Sequence, residues 1–492
     1  MEKKNLTIME QKNLTIFQKS KKGRNKFKIE NLPKKEIDFT KYIPSDLLRE
    51  SEIGLPELSE NEVIRHYTNL AMRNYGVDNG AYPLGSCTMK YNPKVNEYIA
   101  SLEAFKQIHP FQREEDIQGS LQIFYELGEM LKEIVGLEAI SMQPSAGAHG
   151  ELCGLLIAKK YFEINKMKNR NKVIIPDSAH GTNFASAAMA GFEVIQINSN
   201  KRGTIDLDNL KVILKSESDS IALIMITNPN TLGVFEEEIL EISGAVHSTG
   251  GLLYYDGANL NAIAGIIRPG DMGFDIVHIN LHKSFSAPHG GGGPGSGPVL
   301  VKDYLKDYLP VPVVEKKEDG FYFNYNLNNT IGKIKSFYGN FSVCLKAYCY
   351  LLAVGKNIRK VTEDAVLNAN YLKAKLSPFF EVPYFQNCLH EFVLSAKKYK
   401  TLGGSALNIA KRMIDYGIHP PTIYFPVIVE EAMMIEPTES ENIENLENIV
   451  EIFTNIVEEL KSNPEIVTQA PNNTLTGRVD ELKAIKEPKL KD

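Results

Sequence analysis

The sequence predicts an α/β fold, with a mostly parallel sheet covered by helices and an α+β C-terminal domain after it. Three observations lead there. Short apolar runs at 172–175, 193–197, 221–227, 252–255, 276–281 and 298–301 alternate with helical segments such as 185–190 and 236–249. That is the pattern of strands joined by crossover helices. After Lys302 the pattern changes, with helical stretches at 343–352, 363–376, 405–416 and 443–460 and strands at 391–394 and 422–425. Finally, 492 residues that are 43% hydrophobic and 24% charged can bury two or three sizeable cores.

Residues 1–28 carry nine Lys or Arg against two Glu, and the pentapeptide KNLTI at 4–8 recurs at 12–16. This stretch is expected to be a basic tail or an arm on a partner chain, since it lacks a secretory apolar core. A helix is expected over 60–75, followed by a polar segment at 76–93 broken by Gly and Pro. Apolar residues at helical spacing, from Leu121 through Leu131, predict an amphipathic helix over 119–135. The domains expected are an N-terminal arm (1–75), a large α/β domain (76–310) and a C-terminal α+β domain (311–492) with a charged tail at 483–492.

Composition also excludes functions. A net charge of −6 argues against a nucleic-acid binder. No apolar run has the length of a membrane helix. The five cysteines show neither a CxxC pair nor metal-ligand spacing, which suits reduced thiols in the cytoplasm. The glycines at 290–295 match GxGxxG formally, but Pro294 and Pro298 prevent them from opening a helix, and no P-loop motif occurs.

The most informative residue is Lys283, where the strand expected at 276–281 runs into a turn and then four glycines. An amine at the end of a core strand is partly desolvated, which favours its nucleophilic form. That suits a lysine forming a Schiff base with pyridoxal phosphate (PLP). Such a cofactor also needs an anion site, a carboxylate for its ring nitrogen and a flat group against the ring. Ser145, Ala146 and Gly147, ahead of a helix, offer backbone N–H groups for the phosphate. Asp256 follows an apolar strand and could pair with the ring nitrogen. His180 could stack on the ring, Asn230 and Thr231 could donate to its oxygen, and His282 could reach the phosphate. Each has a plainer reading: a helix cap at 145–147, a turn Asp, a capping His, an Asn/Pro turn, and a packed His at a strand end.

The segment 280–298, NLHKSFSAPHGGGGPGSGP, closely resembles the PLP-lysine segment of the glycine cleavage system P-protein, the glycine dehydrogenase (decarboxylating) family. QPSAGAHGE at 143–151, DSAHGTN at 177–183, TNPNTLG at 227–233 and YYDGANLNA at 254–262 are similar to its cofactor loops. GSCTMK at 85–90, FYGNF at 337–341, HEFV at 390–393 and the stretch 415–437 match as well, so the resemblance runs from about residue 19 to the end. It implies the PLP-dependent fold type I, which is aspartate-aminotransferase-like. It also implies decarboxylation of glycine and transfer of the aminomethyl group to a lipoylated H-protein, with Lys283, Asp256 and His180 as the catalytic set.

Family members made as one long chain are about double this length. The chain therefore resembles the lysine-bearing subunit of the split form, which implies a subunit 1 partner in an α2β2 assembly. Ser86, Cys87, Thr88 and Lys90 would contact substrate or line the lipoyl path, with Cys87 expected in a structural or polar-contact role. The departures are Ser284 and Ala287 where Thr is expected, and Phe184 where Pro is expected. Two other functions fit the same architecture: a decarboxylase of another amino acid, or a non-catalytic paralogous subunit.

Overall fold

A computed structural model describes residues 14–24, 37–51, 53–293, 295–384 and 387–488. Residues 77–478 form one compact unit, and the described parts of 1–76 group with those after 478 in another. In the smaller unit a helix at Glu60–Ala71 is closed by a Ser59/Glu62 capping box. The first KNLTI copy lies outside the described residues. The second leads into a short helix, Ile16–Lys19, capped by Thr15 and Gln18. A further short helix, Glu481–Lys486, lies in the charged tail, whose last residues, 489–492, are outside the described ones.

The larger unit is built on a seven-stranded sheet: β1 (Ala139–Ser141), β2 (Lys172–Pro176), β3 (Glu193–Ile197), β4 (Ile221–Thr227), β5 (Leu252–Gly257), β6 (Ile276–Ile279) and β7 (Val299–Val301). Their order is β1-β7-β6-β5-β4-β2-β3. The run from β3 to β6 is parallel, and β7 is antiparallel to both of its neighbours. Successive side chains point to opposite faces. Val173, Ile175, Leu223, Met225 and Tyr254 enter one core, and Ile174, Ile224, Ile226, Leu253 and Tyr255 enter the other. Both faces are therefore covered, and β4 is buried along its whole length. Edge strand β3 exposes Glu193 and Gln196 to solvent, which blunts the edge against pairing.

Helices α1 (Gln118–Val135), α2 (Gly147–Ile164), α3 (Gly181–Met189), α4 (Leu207–Ser216) and α5 (Ile239–Ser248) flank the sheet. Helix α6 (Phe341–Val354) packs Val343, Cys344, Ala347, Tyr350 and Leu351 into the same core as α1. A hairpin of β8 (Val313–Lys317) and β9 (Gly320–Asn324) lies against α1. A separate core joins α7 (Ile358–Leu376), α8 (Ala406–Asp415) and α9 (Ile443–Ser462) to an antiparallel sheet. That sheet comprises β10 (Phe392–Ser395), β11 (Thr422–Ile423) and β12 (Ala432–Ile435), in the order β10-β12-β11.

The α/β class and the mostly parallel sheet are as the sequence implies, while the ends of elements move. The strand expected to reach residue 281 stops at Ile279, because the N–H groups of Lys283 and Ser284 turn back to the Asn280 carbonyl at 3.0 and 3.2 Å. Among the described residues, no helix is long and apolar enough to cross a membrane.

Candidate functional site

The turn after β6 presents Lys283, half-buried, with its Nζ donating to the Ser86 carbonyl at 2.8 Å. The acceptor belongs to a strained loop. Ser86 and Thr88 have φ of 64° and 47°, a left-handed region that non-glycine residues seldom adopt. Two carboxylates flanking the C-terminal sheet, one just before β10 and one just after β12, hold that loop. Ser86 N–H donates to Glu391 Oε2 at 2.7 Å and Thr88 N–H to Glu436 Oε2 at 2.9 Å.

Asp256, the penultimate residue of β5, is 2% exposed. It accepts from Asn183 Nδ2 at 2.9 Å and from the Ala258 N–H at 3.0 Å. His278 Nε2, one strand over on β6, lies 3.1 Å from Oδ1, at ion-pair distance but without an aligned hydrogen bond. Burial alone would raise the Asp256 pKa. The charge of His278 and the hydrogen bonds from Asn183 and Ala258 outweigh burial and hold the carboxyl below its ordinary value. An ionised carboxylate is thus fixed at the end of a parallel strand, where ligands of such sheets bind.

The small-residue loop 144–147 packs onto the turn after β6. Gly295 and Gly297 N–H groups donate to the carbonyls of Ser145 and Pro144 at 3.2 and 2.9 Å. Ala146 is the N-cap of the 18-residue helix α2, whose first turn has free N–H groups and a positive dipole end. A Cβ at Gly147 would stand 2.7 Å from Asn280 Oδ1, and one at Gly297 would stand 2.1 Å from the Ala146 carbonyl, so these close approaches require glycine. Asn280 Oδ1 and Ser284 Oγ are buried here without a protein partner. Unpaired buried polar atoms beside a helix N-terminus, an amine and an ionised carboxylate are a donor set that fits PLP.

His180 caps α3, accepting from the Thr182 N–H at 3.2 Å through Nδ1, and its ring meets Phe425 edge-on at 5.5 Å. Asn183, in the first turn of that helix, ties His180 to Asp256. Glu151 ties α2 to α3 by accepting from Thr182 Oγ1 and Ser186 Oγ at 2.8 and 2.9 Å.

Asn230 and Thr231 are engaged otherwise. Asn230 bonds Gly203 O at 2.6 Å and the N–H groups of Leu232 and Val234, as a turn Asn does. Thr231 Oγ1 bonds the Ser178 carbonyl. His282 accepts from Ser296 N–H at 3.3 Å, and burial, assisted by Lys283 and His289, pushes it down to about 3. It is therefore neutral and offers a phosphate no positive charge.

Lys90 is buried, and its ammonium is spent on Glu439 at 2.7 Å and Asn261 at 2.8 Å, so it anchors the loop's end. Burial pushes the Cys87 thiol up to about 11 against the pull of Lys283, so it rests as a thiol. Ala287 packs in the large apolar core and Phe184 against the core on the other face. Reasoning from sequence passed over His278, Asn183 and the Glu391/Glu436 pair as site residues. HEFV contained Glu391, DSAHGTN contained Asn183 and the stretch 415–437 contained Glu436, but only in three dimensions do they meet Asp256 and the Ser86 loop.

Comparison with known proteins yields a consistent set. Residues 20–321 match the family model of the glycine cleavage system P-protein, and 361–478 match that of the glycine dehydrogenase C-terminal domain. A probable glycine dehydrogenase (decarboxylating) subunit 2 of Caldanaerobacter subterraneus subsp. tengcongensis is 55% identical, over 98% of this chain and 99% of its own. A protein of the same description from Kosmotoga olearia is 56% identical over 97% and 98%. Among solved structures, an inhibitor-bound glycine decarboxylase (P-protein) aligns at a TM-score of 0.72 and 22% identity, covering 85% of this chain and 94% of that one. A NifS-like protein aligns at 0.60 and 13%, covering 77% and 99%. These two likenesses speak to the fold, which is that of the fold type I enzymes.

Proposed function

The chain belongs to the glycine cleavage system P-protein family, and from that premise we propose that it is subunit 2 of a split glycine dehydrogenase (decarboxylating). It removes carbon dioxide from glycine and delivers the aminomethyl group to the lipoyl arm of an H-protein. The observation that carries this reading is the convergence of a half-buried Lys283 amine, an ionised Asp256 and an N-terminal helix seat on one turn after β6.

The residues fit PLP. Lys283 Nζ would hold it covalently, Asp256 would face its ring nitrogen, and the α2 N-terminus with Ser284 and Asn280 would take its phosphate. Bound PLP supplies an aldehyde for the substrate amine and a ring that accepts the electron pair left by decarboxylation. The chain's own residues do the rest. Asp256, kept ionised by Asn183, Ala258 and His278, holds a proton on the ring nitrogen. His180, fixed by its cap on α3, limits the tilt of the ring. Lys283 takes up or gives a proton at Nζ, with the Ser86 carbonyl as its resting partner.

A subunit 1 partner, an α2β2 assembly and cytoplasmic operation complete the proposal. The description of the relatives as subunit 2 supports a second subunit, and five free cysteines suit a reducing compartment.

The test uses the chain with its partner and PLP. Borohydride should fix the cofactor to Lys283, read by peptide mass spectrometry, and labelled bicarbonate should exchange into glycine. An adduct on another lysine, or exchange retained in Lys283→Ala, would overturn the assignment. Turnover of glutamate without glycine would favour a decarboxylase of another amino acid.

A further inference from the structure

Beneath the Ser86–Thr88 loop lies an enclosure with no solvent access. His390, Glu391 and Glu436 are each 0% exposed, with ligand-capable atoms within 4.8 Å of one another. His390 Nε2 stands 3.7 Å from Glu391 Oε1 and 4.0 Å from Glu436 Oε1. Both His390 nitrogens and Glu436 Oε1 have no hydrogen-bond partner. Glu391 Oε1 accepts from Asn259 Nδ2 at 3.2 Å.

The charges facing this enclosure are few. Lys283 is the cation that acts on both carboxyls. Lys90 is spent on Glu439, the remaining acid that faces Glu436. Cys87 is a neutral thiol, and burial with Lys283 pushes His390 down to about 3, so it is neutral too. Two ionised carboxylates in a dry site with one cation acting on both leave an uncompensated charge, and such a site takes up a proton instead.

We propose that Glu391 and Glu436 are positioning residues for Lys283 that share one proton, and that their grip on the strained Ser86–Thr88 peptide aims the Ser86 carbonyl at the Lys283 amine. Burial and mutual repulsion raise Glu391 well above the ordinary range, and burial raises Glu436 to about 7, in keeping with a shared proton. The positioning role rests on Lys283 being the cofactor lysine; the shared proton does not.

The test has two arms. In infrared difference spectra of the full chain before cofactor is added, a protonated-carboxyl stretch should persist at about pH 8, where ordinary carboxyls are ionised. It should vanish in Glu391→Gln and in Glu436→Gln alike. In the cofactor-loaded assembly, the midpoint of the pH-dependent visible spectrum should move by about one unit in each variant. Melting curves would verify folding, and a merely structural role would leave that midpoint in place.

The proposal falls if the wild type lacks the stretch, if the stretch survives in either variant, or if elemental analysis finds a cation between two ionised carboxylates. An unmoved midpoint in folded, loaded variants also defeats it. A chain that shows the stretch but takes up no cofactor refutes the proposed function and leaves the shared proton standing. Should the variants fail to fold, the wild-type titration decides alone.

Discussion

Asp256→Asn is the substitution that best separates chemistry from folding. The carboxylate accepts two hydrogen bonds, from Asn183 at 2.9 Å and Ala258 at 3.0 Å. Bonds to a charged acceptor are about twice as strong as neutral ones, so neutralisation forfeits roughly 1–2 kcal/mol. A buried amide is cheaper to desolvate than a buried charge, which returns part of that loss. The introduced NH2 would face the Asn183 NH2, donor against donor. Asn183 Oδ1 is buried without a partner, however, so a flip of that amide restores the contact. The net cost to the fold is about 1 kcal/mol, a fall in Tm of roughly 1 °C for a unit spanning 77–478. The loss in catalysis is larger, because the cofactor's ring nitrogen faces a neutral amide. A buried charge pair lost without replacement is worth about 3 kcal/mol, or about two orders of magnitude in rate. Exchange of labelled bicarbonate into glycine, measured with the partner subunit and lipoyl protein at saturating PLP, reads that rate directly. Exchange within about threefold of wild type in a folded variant would show that the Asp256 charge does not serve the ring, and the site assignment would fail.

Lys90→Met leaves the partly buried Glu439 without its cation and should lower stability by about 2–3 kcal/mol by urea unfolding. Adding Glu439→Gln should recover part of that loss. Gly147→Ala would set a Cβ 2.7 Å from Asn280 Oδ1, so it should displace that side chain and weaken PLP binding about tenfold by fluorescence titration, with little change in melting. The Glu436 carboxyl rises from 4.5 to about 7, chiefly through burial. The fold therefore keeps a proton that the unfolded chain releases, and this group favours folding below pH 4.5, a contribution lost as pH rises through about 7. The Tm of wild type relative to Glu436→Gln should accordingly decline between about pH 5 and pH 8, and a difference that grows with pH would contradict the shift.

The parts of the fold written in the sequence are those with strong local character. Strand β4 reads IALIMIT because both of its faces are covered, and a fully buried strand has no need of polar alternation. Lys283, Asp256 and the 145–147 loop were legible because strand ends, turns and small-residue runs leave local marks. Two short strands were not: β1 and β12 hold three and four residues, too few for a period, and lack the flanking signals that marked β7 and β10. Helix α2 begins at Gly147, inside the loop expected to precede it. Its first turn is GAHG, poor in helix propensity, and forms because glycines there let the helix approach Asn280 and Gly297 closely. Asn230 looks like a cofactor donor in sequence yet spends its side chain on its own loop. The Glu391/Glu436 pair was invisible because its contacts join residues 305 and 348 positions apart.

Those same separations bear on how the protein is made. The loop that meets the Lys283 amine emerges from the ribosome early, but the carboxylates that hold it in its left-handed conformation are among the later residues translated. A nascent chain halted before Glu391 would carry the lysine and the anion seat while lacking the clamp on both Ser86 and Thr88. The held conformation of the loop can thus form only when synthesis is almost finished.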